Sequence, residues 1–429
     1  MSSMVHETGK TSEERGASST PLVPTCTQSG RRICMVVYAF YENDTRVMQY
    51  ADALVERGDQ VDVIALRRSD AFPEYEVLRG VHVYRIQSRT VNEKGLNAYG
   101  SRILRFTLAS AWHLRRLQRQ HGYDLIHVHN VPDTLVFAAA YAKWKRVPII
   151  LDIHDPLPEL FASKFRIERS SRAFRLLTWM ERMSAAFATH IIVANDLWCE
   201  RLAARTSRPE KYSVVRNRPD LSIFHGRPSK RTKPEGKFLM TYPGSLNWHQ
   251  GLDVAIAAFA KVADQMPDAE FHVYGEGAAK PSLIALVKDL RLEHRIIFHD
   301  MLPSRDVAEV MAMTDLAIEP KRSTSAFGNE ALSTKILEFM SLGVPVIASR
   351  TAVHQYYYDE SIIQYYDNDD ADELATEMLR LRKDPARRKA MAARAKQYAD
   401  ANTWDARKGE YLARVDVLVG AGKGAAISG

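Results

Sequence analysis

Two glutamates separated by seven residues, Glu330 and Glu338, mark the most specific pattern in the chain, AFGNEALSTKILEFMSLGVPVIAS. The segment leaves a polar loop and enters a predicted helix near Ser333 and Thr334, since either hydroxyl can cap the free N–H groups of the first turn. These groups and the helix dipole favour a bound anion. Lys335 adds a positive charge, and Glu338 lies one turn further, where a carboxylate can accept hydrogen bonds from a ribose diol. A capped helix with two solvated glutamates would give the same spacing.

Other candidate chemical groups are less specific. His127 and His129 point the same way from one predicted strand, as metal ligands could, but no third ligand is evident and packing is favoured. Asp367 and Asp369 form an Asp-x-Asp within an acidic turn that is typical of a helix cap. His154, in DIHD, is compatible with a loop histidine bonded to a neighbouring aspartate. We therefore predict no metal site and no cofactor.

Several enzyme classes lack their signatures in this sequence. No GxGxxG, Walker loop or Gly-x-Ser-x-Gly occurs. Dinucleotide oxidoreduction, P-loop hydrolysis and α/β-hydrolase chemistry therefore have no sequence support.

The elements that position these residues alternate between short apolar runs and helical segments. Such alternation predicts an α/β fold with parallel sheets covered on both faces. It runs to about Pro219, stops in the polar stretch HGRPSKRTKPEGK, and then restarts. We predict two doubly wound, Rossmann-like domains facing each other across a cleft, each with a ligand crevice at the carboxyl ends of its strands. The predicted divisions are a disordered tail (1–30), a first domain (31–220), a linker (221–236), a second domain (237–400) and a C-terminal helix (401–429). Composition alone leaves open whether this last helix returns to the first domain.

Composition fits two or three globular domains. The 429 residues are 46% hydrophobic and 26% charged, which suffices for extensive cores. Three scattered cysteines give no disulfide framework and favour a reducing compartment. Because no run of 18 apolar residues and no secretory core is seen, we expect a cytoplasmic protein without spanning helices.

The positive charge is concentrated in the predicted first domain. The chain carries a net charge of +7, and residues 31–220 hold 30 Lys and Arg against 21 Asp and Glu. Two stretches that interleave Arg with apolar residues contribute most: Arg102, Arg105, Arg115, Arg116 and Arg119, then Lys164, Arg166, Arg169, Arg172, Arg175 and Arg182. Such stretches can bind anionic lipid or be solvated helix faces. Nucleic-acid binding is not expected, because no RNP, helix-turn-helix or zinc pattern occurs.

Taken together, these motifs resemble those of the retaining GT-B glycosyltransferases of glycosyltransferase family 4. The shared features are Glu-x7-Glu before GVPVIAS, the first loop and helix ENDTRVMQYADALVERGDQVDVI, and the strand DLIHVHN. The His-bearing loop LDIHDPLPEL, the loop YPGSLNWHQGLDVAIAAF and the turn YGEG agree with them. The resemblance extends from about Arg32 to Trp404.

The resemblance implies a role for each candidate residue. Glu338 binds the ribose of a sugar nucleotide, Glu330 binds hydroxyls of the donor sugar, and His154 reaches that sugar from the first domain. The diphosphate lies at the helix start and at the loop after the second domain's first strand, and the base lies near Leu302. The implied diphosphate-binding residues are Ala331, Leu332, Ser333, Lys335, Gly244 and Ser245.

One departure from the family pattern concerns the diphosphate. Many members place Arg and Lys five residues apart in the loop where this chain has Ser245 and Gln250. Either Lys335, with Lys321 or Arg322 and the helix dipole, supplies the missing field, or the enzyme is slow or altered.

The expected function is transfer of a sugar from a nucleotide donor, a UDP-sugar, to a glycan or lipid-linked acceptor in surface polysaccharide assembly. Attachment to an anionic membrane surface at the inner face of the cell membrane is also expected. Two alternatives stay open: a nucleotide-sugar 2-epimerase and a non-catalytic GT-B binding module.

Overall fold

The structure is a computed structural model that describes residues 30–89, 96–165, 168–206, 208–225, 231–325, 327–367 and 369–427. Most of the predicted tail, part of the predicted linker and Arg166 lie outside these ranges.

The first sheet contains eight strands within the described ranges. They are β1 (Arg32–Phe40), β2 (Gln60–Arg67), β3 (Tyr75–Leu78), β4 (Val81–Ser88), β5 (Leu125–His129), β6 (Ile149–Ile153), β7 (His190–Val193) and β8 (Tyr212–Val214). Their spatial order is β3-β4-β2-β1-β5-β6-β7-β8. All neighbours are parallel except β3 and β4, which pair antiparallel.

Helices cover both faces of this sheet, so every residue of β5, β6 and β7 is buried. This burial explains why these strands are continuous apolar runs. The helices are α1 (Thr45–Glu56), α2 (Leu96–His121), α3 (Ala140–Trp144), α4 (Leu157–Phe165), α5 (Arg172–Phe187) and α6 (Asp196–Thr206). Three 3-10 turns accompany them, at Tyr41–Asn43, Asp133–Ala139 and Pro209–Lys211.

The second sheet has six strands in the described part of the chain, all parallel, in the order β11-β10-β9-β12-β13-β14. They are β9 (Phe238–Pro243), β10 (Ala269–Tyr274), β11 (Ile296–His299), β12 (Leu316–Glu319), β13 (Val346–Ser349) and β14 (Gln364–Tyr366). The helices are α7 (Leu252–Val262), α8 (Lys280–Asp289), α9 (Ser304–Ala312), α10 (Thr334–Ser341), α11 (Ala352–Tyr357), α12 (Ala371–Lys383) and α13 (Pro385–Ala401). The 3-10 turns are Trp248–Gln250 and Ala263–Gln265.

The last helix, α14 (Trp404–Ile427), packs against the first sheet's domain. Tyr411 is fully buried there, and its hydroxyl lies 3.1 Å from Nδ1 of His127 in β5. Lys408 pairs with Glu56 of α1 at 2.7 Å. The chain therefore crosses between the two domains twice.

The predicted fold class is confirmed: two doubly wound α/β domains are present, with parallel sheets. Strand β3 is not predicted by the apolar pattern of the sequence. This edge strand is half exposed and pairs only with β4, so it lacks the apolar run that marks a buried strand. Within the described ranges, none of the helices has the length and apolar character needed to cross a bilayer.

Candidate active site

A cavity of about 540 Å³, which we call the central cavity, lies between the two domains. Its walls come from segments that follow the carboxyl ends of strands in both sheets, as expected for doubly wound domains. The first domain contributes Asp44, Thr45, Arg46, Gln49, His154 and Asn217, and the second contributes Gly244, Ser245, Tyr274, Gly275, Glu276, Met301, Leu302, Thr334, Lys335 and Glu338.

The N-terminal turn of helix α10 borders the central cavity. Ser333 is the N-cap residue, and its side chain makes no capping hydrogen bond, so the N–H groups of the first turn keep their capacity to bind an anion. Glu338, one turn further on, also lines the cavity. Burial raises the pKa of Glu338 to about 7, against the opposing effects of the Lys335 charge and the Thr334 hydroxyl.

Lys335 lies in the first turn of this helix. Its Nζ lies 3.3 Å from Oε2 of buried Glu319, at the end of β12, and 3.5 Å from the Tyr242 hydroxyl. Burial alone would lower the pKa of Lys335, but the Glu319 carboxylate raises it above its ordinary value. Lys335 therefore stays charged beside the cavity.

A second buried lysine, Lys321, lies close to the same carboxylate. Its Nζ donates to the Ala331 carbonyl at 2.6 Å, and its side chain is buried. Burial lowers the pKa of Lys321 to about 8, although Glu319 opposes this shift. Two lysines thus lie near the single carboxylate of Glu319, beside the start of α10.

Ser245 and Gln250 meet each other where the family pattern places two cations. The Gln250 amide donates to the Ser245 hydroxyl at 3.2 Å, and Gln250 is buried. Lys335 approaches this loop from α10: a Cβ placed on Gly244 would lie 3.2 Å from its Nζ. Arg322 forms ion pairs with Asp253 and Asp369 instead. The geometry therefore does not support the prediction that Arg322 supplies positive charge to the diphosphate.

Ala331, Leu332 and Ser333 line a neighbouring cavity of about 300 Å³, the side cavity, which shares Ser245 and Lys335 with the central one. The backbone before α10 therefore lies beside the central cavity.

Glu330 is among the lining residues of neither of these two cavities in the described chain. Its carboxylate forms an ion pair with Arg201 of α6, and its carbonyl accepts a hydrogen bond of 2.9 Å from Asn195. Burial raises the pKa of Glu330, against the influence of Arg201. The structure thus separates the two glutamates: Glu338 borders the central cavity, and Glu330 bridges the two domains.

The Gly-acid-Gly turn after β10 needs both glycines. A Cβ on Gly275, whose φ is +139°, would lie 1.9 Å from the Gly244 carbonyl oxygen, and one on Gly277 would lie 2.3 Å from that of Leu246. Only glycine permits these approaches. The turn thus fixes the loop that holds Gly244 and Ser245.

His154 enters the central cavity from the first domain, directly after β6. Its backbone N–H donates to the Asn130 side chain at 3.1 Å, and Asn130 also donates to the Asp155 carbonyl at 2.7 Å. The Nδ1 atom of His154 is buried without a hydrogen-bond partner. Sequence reasoning missed the role of Asn130, although a polar residue directly after a buried strand is a recognisable signal.

The buried histidines of β5 have a third polar neighbour, which corrects the sequence-based view that none exists. His127, His129 and Asp152 place ligand atoms within 4.8 Å of one another. Asp152 is held by His129 at 3.0 Å and by two hydrogen bonds of 2.8 and 2.7 Å from Arg46. Because the Arg46 guanidinium occupies both carboxylate oxygens, the group fits a charge-paired core better than a cation site.

Two doubly wound domains that face a common cavity, with a helix N-terminus of the second domain at that cavity, are the architecture of the GT-B class of glycosyltransferases. Two family models match the chain: "Glycosyl transferase 4-like domain" over residues 44–218 and "Glycosyl transferases group 1" over residues 227–398. The chain belongs to this group of GT-B enzymes, glycosyltransferase family 4.

Known proteins agree with this assignment. The chain is 25% identical over 390 residues to D-inositol 3-phosphate glycosyltransferase of Thermomonospora curvata, covering 84% of this chain and 86% of that protein. Sucrose-phosphate synthase of Thermosynechococcus elongatus has the same fold, with a TM-score of 0.74, 17% identity and coverage of 90% and 99% of the two chains. HepE of Anabaena, solved with UDP and glucose, gives a TM-score of 0.65 at 16% identity over 89% and 99%.

Proposed function

We propose that this glycosyltransferase moves a sugar from a UDP-sugar to a hydroxyl of a glycan or lipid-linked glycan, with retained anomeric configuration. The observation that supports it most is the central cavity, where an anion-binding helix start with Lys335 and Glu338 faces His154 across the domain boundary. HepE, which has this fold, was solved with UDP and glucose. The relative from Thermomonospora curvata is named for D-inositol 3-phosphate, a phosphorylated cyclitol.

In the proposed reaction, the bond between the anomeric carbon and the donor phosphate oxygen breaks, and a bond to the acceptor oxygen forms on the same face. Charge grows on the departing β-phosphate, where the α10 N–H groups and Lys335 supply preorganised stabilisation worth about 3 kcal/mol for a strong donor. The departing phosphate takes the acceptor proton, so no carboxylate base is required. His154, which lines the central cavity from the first domain, would contact the donor sugar.

Metal-independent catalysis is part of the proposal. In this proposal, Lys335, Lys321 and the α10 dipole neutralise the diphosphate in place of a metal ion. A chelator should therefore leave the transfer rate unchanged, and an added divalent cation that restores a lost rate would contradict this.

The experiment that tests the donor is a scan of sugar nucleotides for hydrolysis, with product analysis. Release of UDP and free sugar supports the proposal. Formation of an epimer supports the 2-epimerase alternative, and failure to bind any nucleoside diphosphate supports the non-catalytic alternative.

The second part of the proposal is that the acceptor is reached at an anionic membrane, at the inner face of the cell membrane. Two helices of the first domain carry exposed apolar stripes at helical spacing. On α2 the side chains of Leu104, Leu108 and Trp112 are 60%, 63% and 57% exposed. On α5, Leu176, Trp179 and Met183 are 56%, 58% and 45% exposed.

We call the two stripes together the apolar-basic face, because their helices pack against a common element. Both α2 and α5 pack against the 3-10 turn Asp133–Ala139. Exposed arginines border the stripes: Arg105, Arg115, Arg116, Arg119, Arg172, Arg175 and Arg182. No acid occurs in α2, and the acid of α5, Glu181, is buried against Arg205. Apolar side chains that enter the headgroup boundary beside cations favour an anionic leaflet, at about 1 kcal/mol for each well-placed Arg.

The apolar-basic face also adjoins the loop of His154. Helix α4 begins three residues after His154 and packs on α5. Docking of this face would therefore bring a lipid-linked acceptor near the first-domain side of the central cavity.

Flotation with liposomes tests the membrane part. We expect binding to vesicles with anionic lipid at low salt, and little binding to neutral vesicles. Replacing Arg115, Arg116, Arg172 and Arg175 with Glu should abolish it, and so should replacing Trp112 and Trp179 with Ser. The matched control replaces four exposed basic residues of the second domain with Glu: Arg380, Lys383, Lys389 and Arg394. Equal binding to neutral vesicles, or unchanged binding by the first-domain variants, contradicts the proposal.

A further inference from the structure

A third cavity, of about 390 Å³, lies at the junction of the two domains and has no part in the proposed reaction. We call it the hinge cavity. Its walls combine the start of α6, the segment after β8, and helices α11, α13 and α14: Asp196, Val214, Arg216, Arg218, Tyr356, Tyr357, Tyr398, Arg407 and Glu410. Its volume falls within the range of about 300–1,000 Å³ typical of small-molecule sites.

We propose that the hinge cavity binds a phosphate-bearing anion, held by Arg216, Arg218 and Arg407. Guanidinium groups offer forked N–H donors that match phosphate oxygens, and several of them around one cavity favour a multiply charged ligand. Tyr356 and Tyr398 add hydroxyl groups at the same walls.

Carboxylates balance the charges of the cavity only in part, since Glu410 serves both Arg218 and Arg407. Among the described residues, no ion pair joins Arg216 to an acid; its guanidinium donates to the Asn402 amide oxygen at 2.8 Å and lies 4.8 Å from the Tyr357 ring centroid. Arg218, which is 6% exposed, donates to the same amide oxygen at 3.2 Å. Two guanidinium groups thus share one neutral acceptor.

The two carboxylates at the cavity are engaged or exposed. Asp196 accepts a hydrogen bond of 2.5 Å from the Tyr357 hydroxyl. Glu410 is half exposed, and it lies 3.0 Å from Arg407 and 3.7 Å from Arg218. Burial, and to a smaller extent the charge of Arg216, lower the pKa of Arg218 to about 10, against the opposing charge of Glu410.

The position of the hinge cavity links it to the central cavity. Arg218 lines both, and Asn217, next to it, lines the central cavity and accepts a 2.8 Å hydrogen bond from Arg46. An anion at Arg218 can therefore influence the donor side through one short segment of chain.

The test measures binding of inorganic phosphate by calorimetry to the full chain, with the central cavity filled by saturating UDP. We expect one phosphate to bind, and its Kd to rise at least tenfold in Arg216→Gln and in Arg407→Gln. Arg407 is half exposed, so its replacement should leave the fold intact. Arg380→Gln, at an exposed arginine of α12, is the matched control and should bind as the wild type does.

Three outcomes overturn the proposal. They are the absence of phosphate binding in the presence of UDP, binding that is the same in both hinge variants and the wild type, and binding lost in Lys335→Met but kept in the hinge variants. The last would assign the anion to the central cavity. If the chain binds no UDP, the proposed function fails, and the hinge variants still test the phosphate site in buffer alone.

Discussion

Replacement of Lys335 by methionine separates two roles that this lysine can have. It is the counter-ion of buried Glu319, at 3.3 Å, and it borders the central cavity. Removing one partner of a buried ion pair destabilises a protein by about 3–5 kcal/mol, and because Lys321 still compensates part of the Glu319 charge we expect the lower end of this range here. Loss of a strong donor to the departing phosphate should lower the rate about 100-fold, equivalent to about 2.7 kcal/mol.

The informative comparison is Lys335→Met alone against Lys335→Met combined with Glu319→Gln. The second change removes the Glu319 charge that Lys335 no longer balances, so we expect the double variant to regain most of the free energy of unfolding. Its transfer rate should stay about 100-fold below that of the wild type, because the cation at the cavity is still missing.

Urea unfolding and initial rates at saturating donor measure the two effects, with Glu319→Gln alone as the control. A double variant that recovers activity to within about threefold of the control would refute the reasoning. Lys335 would then act only as the partner of Glu319, and the compensation for Ser245 and Gln250 would have to come from elsewhere.

Three further predictions concern the same site. Since burial raises the pKa of Glu338 to about 7, its carboxylate is protonated below that pH and ionised above it. UDP should therefore bind more tightly as pH rises from 6 to 8, and calorimetry should find this extra dependence absent in Glu338→Gln. Glu330→Gln should lower turnover at least tenfold while the Kd for UDP stays within about threefold; a changed Kd with normal turnover would contradict this. Gly275→Ala should lower the melting temperature and UDP affinity together, because its Cβ meets the Gly244 carbonyl, whereas Gly420→Ala, in open space on α14, should do neither.

The sequence indicates the basic residues of the proposed membrane-binding face but not its exposed apolar residues. The arginines of α2 and α5 are visible as a basic pattern, but Leu104 and Leu108 look like ordinary core residues at helical spacing. The structure leaves both more than half exposed, because Phe106 and Leu114 occupy the face that packs on the sheet. Which apolar stripe of a helix is buried depends on the neighbouring elements, and these are distant in the sequence.

The alternation of apolar runs and helices determined the two-domain α/β fold, since both signals are local. The sequence also predicted the start of α10, because a hydroxyl residue before an apolar helical pattern is a local capping signal. The spacing of Glu330 and Glu338 identified the segment but not their different positions. Tertiary structure alone decided that Arg201 of the first domain holds Glu330, that Asp152 joins the histidines of β5, and that Lys335 pairs with Glu319. Each of these pairings joins residues that no sequence periodicity connects, and burial makes their charges strong enough to determine the electrostatics of the site.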